Sequence, residues 1–227
     1  MTDRVARFLD QIISDIHNRT PRDLIINENV LLVGAGGIGT WTALALTLSA
    51  GPNFRMLIVD DDVLEAHNLN RLPFPVTEAL RREKKAVVLQ RYLKWLRPWL
   101  DIRYAIDRID TVEKAVAYAR VASATIIVDA VDNPRSIRLL KGAARRVGAH
   151  YLGLHYDGTS VTIEWTPAGQ NDTDWVVDEE AAGYRVFPSC AFVPMFAASI
   201  AALIVAVKPE RLFLSCDLRD SIGGQTG

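Results

Sequence analysis

The sequence predicts a doubly wound α/β fold: a mostly parallel sheet with helices on both faces and an antiparallel extension at its C-terminal end. Three observations carry this expectation. Met56-Leu57-Ile58-Val59 and Thr125-Ile126-Ile127-Val128 are short, continuous apolar runs, the pattern of strands buried on both faces. These runs alternate with segments of helical length. Finally, Val33-Gly34-Ala35-Gly36-Gly37-Ile38-Gly39 sets a glycine turn between a strand and a helix.

The elements follow in order. Val5, Phe8, Leu9, Ile12, Ile13 and Ile16 recur at three- and four-residue steps, so residues 3–18 form an amphipathic helix; with the polar connector around Pro21 it makes up residues 1–22. Strands at 29–33, 55–60, 102–106 and 125–130 then alternate with helices at 38–50, 83–97, 111–121 and 134–147. Past residue 150 the rhythm changes. Residues 150–154 and 160–165 read as strands around the turn-forming Asp157-Gly158. Residues 167–189 form a long polar crossover loop, of the kind that is functional or mobile in a compact domain. An apolar helix occupies 194–207, a last strand 211–215, and residues 216–227 form a disordered tail.

Composition narrows the class. With 227 residues, 49% hydrophobic and 23% charged, the chain suits one domain over 1–227 with a full core. A net charge of −1 offers no basic field for nucleic acid or a membrane surface. Cys190 and Cys216 form no disulfide scaffold, and His67, His150 and His155 have no ligand spacing with them, so no structural zinc is expected. The stretch 192–207 is shorter than the roughly 20 residues of a spanning helix, and Pro194 interrupts its start; its small residues suit a buried or dimer-interface helix. The first residues lack the apolar core of a signal peptide, which fits a reducing cytoplasmic setting. Trp95 and Trp99 read as cover for the core or a helix edge.

The chemistry lies in and beyond the glycine turn. Gly34, Gly36, Gly37 and Gly39 let phosphate oxygens approach the N–H groups at a helix start. Asp60, ending the next strand, stands where an acid binds ribose hydroxyls, with Asp62 close behind. A hydride-transfer enzyme has no use for the next residues: Asn68, Asn70 and Arg71, then Lys84 and Lys85 opening a helix. A fixed guanidinium and an ammonium hold and neutralise a triphosphate. Asp129-Ala130-Val131-Asp132-Asn133 ends a further strand, and Asp132 is placed to meet the same triphosphate and hold Mg²⁺.

These four motifs, in this order and approximate spacing, resemble the ThiF/MoeB/HesA family, bacterial relatives of ubiquitin-activating enzymes with a Rossmann-like fold. The resemblance runs over 30–207. It implies an ATP-dependent adenylyltransferase that binds Mg·ATP and activates a carboxylate, most often the C-terminal glycine of a small ubiquitin-like or sulfur-carrier protein with a Gly-Gly tail. It further implies a homodimer and a downstream conjugating enzyme. By the same resemblance Asp60 holds the ribose, Asn68, Arg71 and Lys85 hold phosphates, and Asp132, beside Asn133, sits next to the metal. Lys84 is the rival of Lys85, which is preferred because Lys-Ala opens the helix.

In such proteins a cysteine ahead of the late apolar helix takes the activated acyl group, which marks Cys190 as a candidate nucleophile. A polar loop before a helix lowers a thiol pKa. The competing reading is a small buried hydrophobe; Cys216 is read as incidental. The sequence also departs from the pattern. Asp10 stands where an arginine reaches the partner subunit's ATP, Leu72 replaces a glutamine, the paired Cys-x-x-Cys clips are missing, and the C-terminal part is short. Two further features stay open: Asp178-Glu179-Glu180 as a solvated loop or a docking surface for a basic partner, and the substrate as a small molecule, peptide or tRNA base. An NAD-binding oxidoreductase is the alternative from another class, and a non-catalytic scaffold is a further one.

Overall fold

Two sets of alternating side chains along each strand decide the architecture, because each set is buried under different helices. In the computed structural model, which describes residues 3–170 and 190–221, seven strands form one sheet. They are β1 (Asn29–Val33), β2 (Arg55–Val59), β3 (Asp101–Ala105), β4 (Ile126–Asp129), β5 (His150–Asp157), β6 (Ser160–Thr166) and β7 (Leu212–Asp217). Their order is β3-β2-β1-β4-β5-β6-β7. Pairing is parallel from β3 through β5 and antiparallel for β5–β6 and β6–β7, as the sequence predicts.

Val30 and Leu32 of β1, Met56 and Ile58 of β2 and Leu152 and Leu154 of β5 share one apolar cluster with α2 (Gly37–Leu48), α4 (Lys85–Leu96) and α7 (Phe192–Val207). On the opposite face Leu31, Val33, Leu57, Val59, Ile127 and Tyr151 pack with α5 (Val112–Val121) and α6 (Pro134–Val147). This two-sided burial is why the parallel strands read as unbroken apolar runs. α1 (Asp3–Asn18) precedes the sheet, and the His17 ring meets the Ala50 carbonyl at 3.3 Å.

Local signals set the helix ends. Asn133 caps α6 by accepting from the Ser136 N–H at 2.8 Å, Pro134 fills the first turn, and Gly148 ends the helix in the left-handed region at φ 70°. Thr111 caps α5 in the same way, accepting from the Lys114 N–H at 3.2 Å. Pro194 lies in the first turn of α7, where its missing N–H has no helical partner to lose, so the helix begins at Phe192.

Several boundaries differ from expectation. The predicted helix 38–50 runs from Gly37 to Leu48, 83–97 from Lys85 to Leu96, and the strand 102–106 from Asp101 to Ala105. A short helix, α3 (Val76–Leu80), and a 3₁₀ turn at Ala66–Asn70 occupy ground that reads as irregular in the sequence. The tail departs most. β7 continues through Cys216 to Asp217, and α8 (Leu218–Ser221) follows. Asp217 explains this: Thr159 and Ser160 donate to its carboxylate at 3.0 and 3.1 Å, fastening the strand end to the β5–β6 turn. Residues 222–227 and 171–189, the latter holding most of the crossover loop and Asp178-Glu179-Glu180, lie outside the described residues. Among those described, no helix is long and apolar enough to cross a membrane.

Candidate functional site

The site begins where three parallel strands end side by side. Val33 pairs with Val59 on one flank and with Asp129 on the other, so the chain leaves β1, β2 and β4 at one edge of the sheet. This is the point where the strand order reverses, the usual ligand crevice of such folds. Gly34 leaves β1 at φ 97°, and a Cβ there would lie 2.6 Å from the Ala130 carbonyl oxygen. Only glycine fits a left-handed backbone pressed against another chain segment. Gly36 caps α2, and Gly37 and Gly39 lie buried in its first turn. The Thr40 hydroxyl closes the turn by donating to the Ala35 carbonyl at 3.1 Å.

Asp60 braces this turn. Its carboxylate accepts from the Ala35 N–H at 2.7 Å and from the Asp62 N–H at 2.9 Å. Burial pushes its pKa above the usual carboxylate value, partly offset by the Ala35 N–H and the Lys85 cation. A carboxylate has about four acceptor directions, so this brace leaves room for ribose hydroxyls.

Arg71 enters from a different kind of element: it caps the 3₁₀ turn after β2 rather than ending a strand. Trp41 of α2 donates its indole N–H to the Arg71 carbonyl at 2.7 Å, tying that turn to the helix behind the glycines. The Arg71 side chain passes over Gly37, with its Cδ 3.1 Å from where a Cβ would sit. Asn68 is buried, and its carboxamide oxygen accepts from the Glu65 N–H at 3.0 Å, so it shapes the turn that carries Arg71. The two lysines part company. Lys85 is buried at the start of α4, with its ammonium 2.7 Å from Asp62. Lys84 turns to the Asp61 carbonyl at 2.6 Å. Asp62 therefore reaches the site through Lys85.

On the β4 side, Asp132 is exposed three residues beyond the strand, while Asn133 spends its oxygen on the α6 cap. The loop between is gripped from below. Asp129, fully buried, accepts from the Val131 N–H at 3.1 Å and from the Tyr151 hydroxyl at 2.7 Å. His155 Nδ1 meets the Val131 carbonyl at 3.2 Å. Burial drives the Asp129 pKa up, opposed first by His155 and then by the Tyr151 bond. Lys141 and Glu164 form a buried ion pair at 2.7 Å on the same side, with the ammonium 5.4 Å from the centre of the Tyr151 ring.

Sequence reasoning misses Trp41, Asp129, Tyr151 and Tyr156. Asp129 has a signal, as the first acid of a motif whose second acid draws the attention; Tyr151 and Tyr156 become visible only through strand pairing, and Trp41 only through the packing of α2 against the turn that carries Arg71. A lone histidine such as His155 reads as satisfied or exposed, and its contact with Val131 is of the satisfied kind. Cys190 stands before α7, half-buried against the apolar cluster that holds that helix.

The donor set is compatible with Mg²⁺. The described residues contain no group of three or more potential ligands, and this ion takes one or two carboxylates and completes its shell with phosphates and water. The exposed carboxylate of Asp132 is a donor of the kind such an ion takes.

The chain is similar to known proteins in sequence and in fold. The sequence matches the ThiF family over residues 10–208. It is 27% identical over 163 residues to the SAMP-activating enzyme E1 of Haloferax volcanii, covering 70% of this chain and 58% of that protein. It is 32% identical over 134 residues to the sulfur carrier protein ThiS adenylyltransferase of Escherichia coli, covering 59% and 51%. The chain thus spans about half the length of the curated relatives it matches. Among solved structures, E. coli MccB with AMPCPP and MccA superposes with a TM-score of 0.68 at 19% identity, covering 87% of this chain and 65% of MccB.

Proposed function

The chain belongs to the ThiF family, and from that membership we propose that it is an ATP-dependent adenylyltransferase acting on the C-terminal carboxylate of a small ubiquitin-like or sulfur-carrier protein. The whole of 1–227 works as one adenylation domain. One observation supports this most: Arg71 lies over Gly37 while Asp60 and the loop bearing Asp132 leave the sheet on either side of Gly34.

In this reading the N–H groups at the start of α2 receive phosphate oxygens. Asp60 orients the nucleotide by its ribose. Arg71 and Lys85 neutralise charge on the triphosphate, and Asn68 holds the turn that delivers Arg71. Mg²⁺, held by Asp132, would screen the phosphate oxygens. The substrate carboxylate attacks the α-phosphorus, the bond to the bridging oxygen breaks, and pyrophosphate leaves, giving an acyl-AMP. An ionised carboxylate needs no general base, so rate comes from positioning and electrostatics. Cys190 is the acceptor of the acyl group where a thioester follows. Copies pair through the apolar flank of α7, where Met195, Phe196 and Leu203 are exposed. The protein works in the cytoplasm.

The test is exchange of radiolabelled pyrophosphate into ATP, driven by a small β-grasp protein ending in Gly-Gly and, separately, by a short peptide. Substrate-dependent exchange that falls by about 10² or more in Arg71→Ala and Asp132→Ala supports the reading. Exchange left intact by either substitution overturns it.

A further inference from the structure

We propose that the Tyr156 phenol is a further ligand of the nucleotide, donating its hydroxyl hydrogen to the phosphate seated at the start of α2. This rests on the nucleotide reading above and adds a residue to the same site.

The argument begins with register. β5 pairs with β4 only as far as Gly153, opposite Asp129. Beyond that point β5 runs on past its parallel neighbour, still paired with β6; Tyr156 pairs there with Val161. Alternation along a strand sends Leu152, Leu154 and Tyr156 to one face, the face that carries α2, and the first two are buried in that cluster. Tyr156 packs against the same cluster, so the body of its ring rests on apolar groups and its polar end reaches past them.

That polar end arrives at a specific place. A Cβ built on Gly37 would lie 2.5 Å from the Tyr156 hydroxyl oxygen, 3.3 Å from its Cζ and 3.1 Å from Arg71 Cδ. The phenol and the arginine side chain thus approach the first residue of α2 together. Gly37 must lack a side chain to admit them. A neutral O–H donor beside a guanidinium and a row of helix N–H groups completes a cradle whose other members are all donors; an anion is the group that accepts from them all. The residue before Tyr156 fixes its place: His155, on the other face, holds the Val131 carbonyl at 3.2 Å. One strand end therefore touches both walls of the crevice, and the phenol is carried by a strand rather than by a loop.

Calorimetric titration of the full chain with Mg·ATP, and separately with adenosine, tests this on wild type and on Tyr156→Phe. The substitution keeps the ring and its packing and removes only the hydroxyl. The expected result is Mg·ATP binding weakened about tenfold and adenosine binding within about twofold of wild type. Unchanged Mg·ATP affinity overturns the inference while the nucleotide reading stands. Equal losses for both ligands overturn it too, since they mark the ring as mere packing. A wild-type chain that binds neither ligand overturns the nucleotide reading and this inference with it.

Discussion

The Tyr151 hydroxyl donates a 2.7 Å hydrogen bond to Asp129 at the buried end of β4. The same carboxylate accepts from the Val131 N–H, so a side chain with no route to solvent fixes the loop that carries Asp132. Burial raises the Asp129 pKa above its usual 3.8. The native state therefore binds this proton more tightly than the unfolded chain, and stability falls as pH rises from 3.8 through the raised native value. Asp129→Asn removes the titration. In denaturant melts across acidic to neutral pH, wild type is expected to lose stability relative to the variant as pH rises; parallel curves would refute the assignment.

His150 has the opposite sign. Its ring stacks on Trp165 at 4.8 Å and its Nδ1 accepts from the Ala168 N–H at 3.1 Å, so the neutral ring is the one that fits. Burial, then the nearby Lys208 cation, lowers its pKa below 6.5. Its contribution is complete above 6.5 and disappears as pH falls through the lowered native value. His150→Phe keeps the stack without a titrating group. Its melting temperature is expected to drop less than that of wild type on mild acidification.

The Lys141–Glu164 pair is buried on both sides. Replacing one partner leaves the other charge uncompensated, so Lys141→Met is expected to cost about 3–5 kcal/mol in urea unfolding. Lys141→Met combined with Glu164→Leu should recover most of that loss. A double variant as unstable as the single one would show that the ion pair itself, not the stranded charge, sets the cost.

Lys85 is held by Asp62 at 2.7 Å before any ligand arrives. Lys85→Met is expected to lower pyrophosphate exchange by about 10², with Asp62→Asn causing a smaller loss by releasing the ammonium from its station. A larger loss from Asp62→Asn would reverse these roles.

Much of the fold is legible in the sequence because its signals are local. Asn133-Pro134 and Gly148 mark α6 within a residue, and the two-sided burial of β1 and β2 appears as unbroken apolar runs. The glycine turn and Asp60 are legible for the same reason. What escapes depends on pairing at a distance. Asp129 and Tyr151 meet only because β4 and β5 lie side by side. Tyr156 reaches Gly37 only because β5 outruns its neighbour. The ordered tail through Asp217 likewise depends on hydroxyls more than fifty positions earlier in the chain. Arg71 is delivered by a 3₁₀ turn whose capping involves Glu65 and Asn68, in a segment that reads as irregular in the sequence.

A side chain on Gly34 would meet the Ala130 carbonyl oxygen at 2.6 Å, so the chain leaving β1 runs close beside the chain leaving β4 at the crevice floor. A nucleotide bound as proposed would meet backbone that folding has already brought together there, and that part of the ordering would not fall to the binding step.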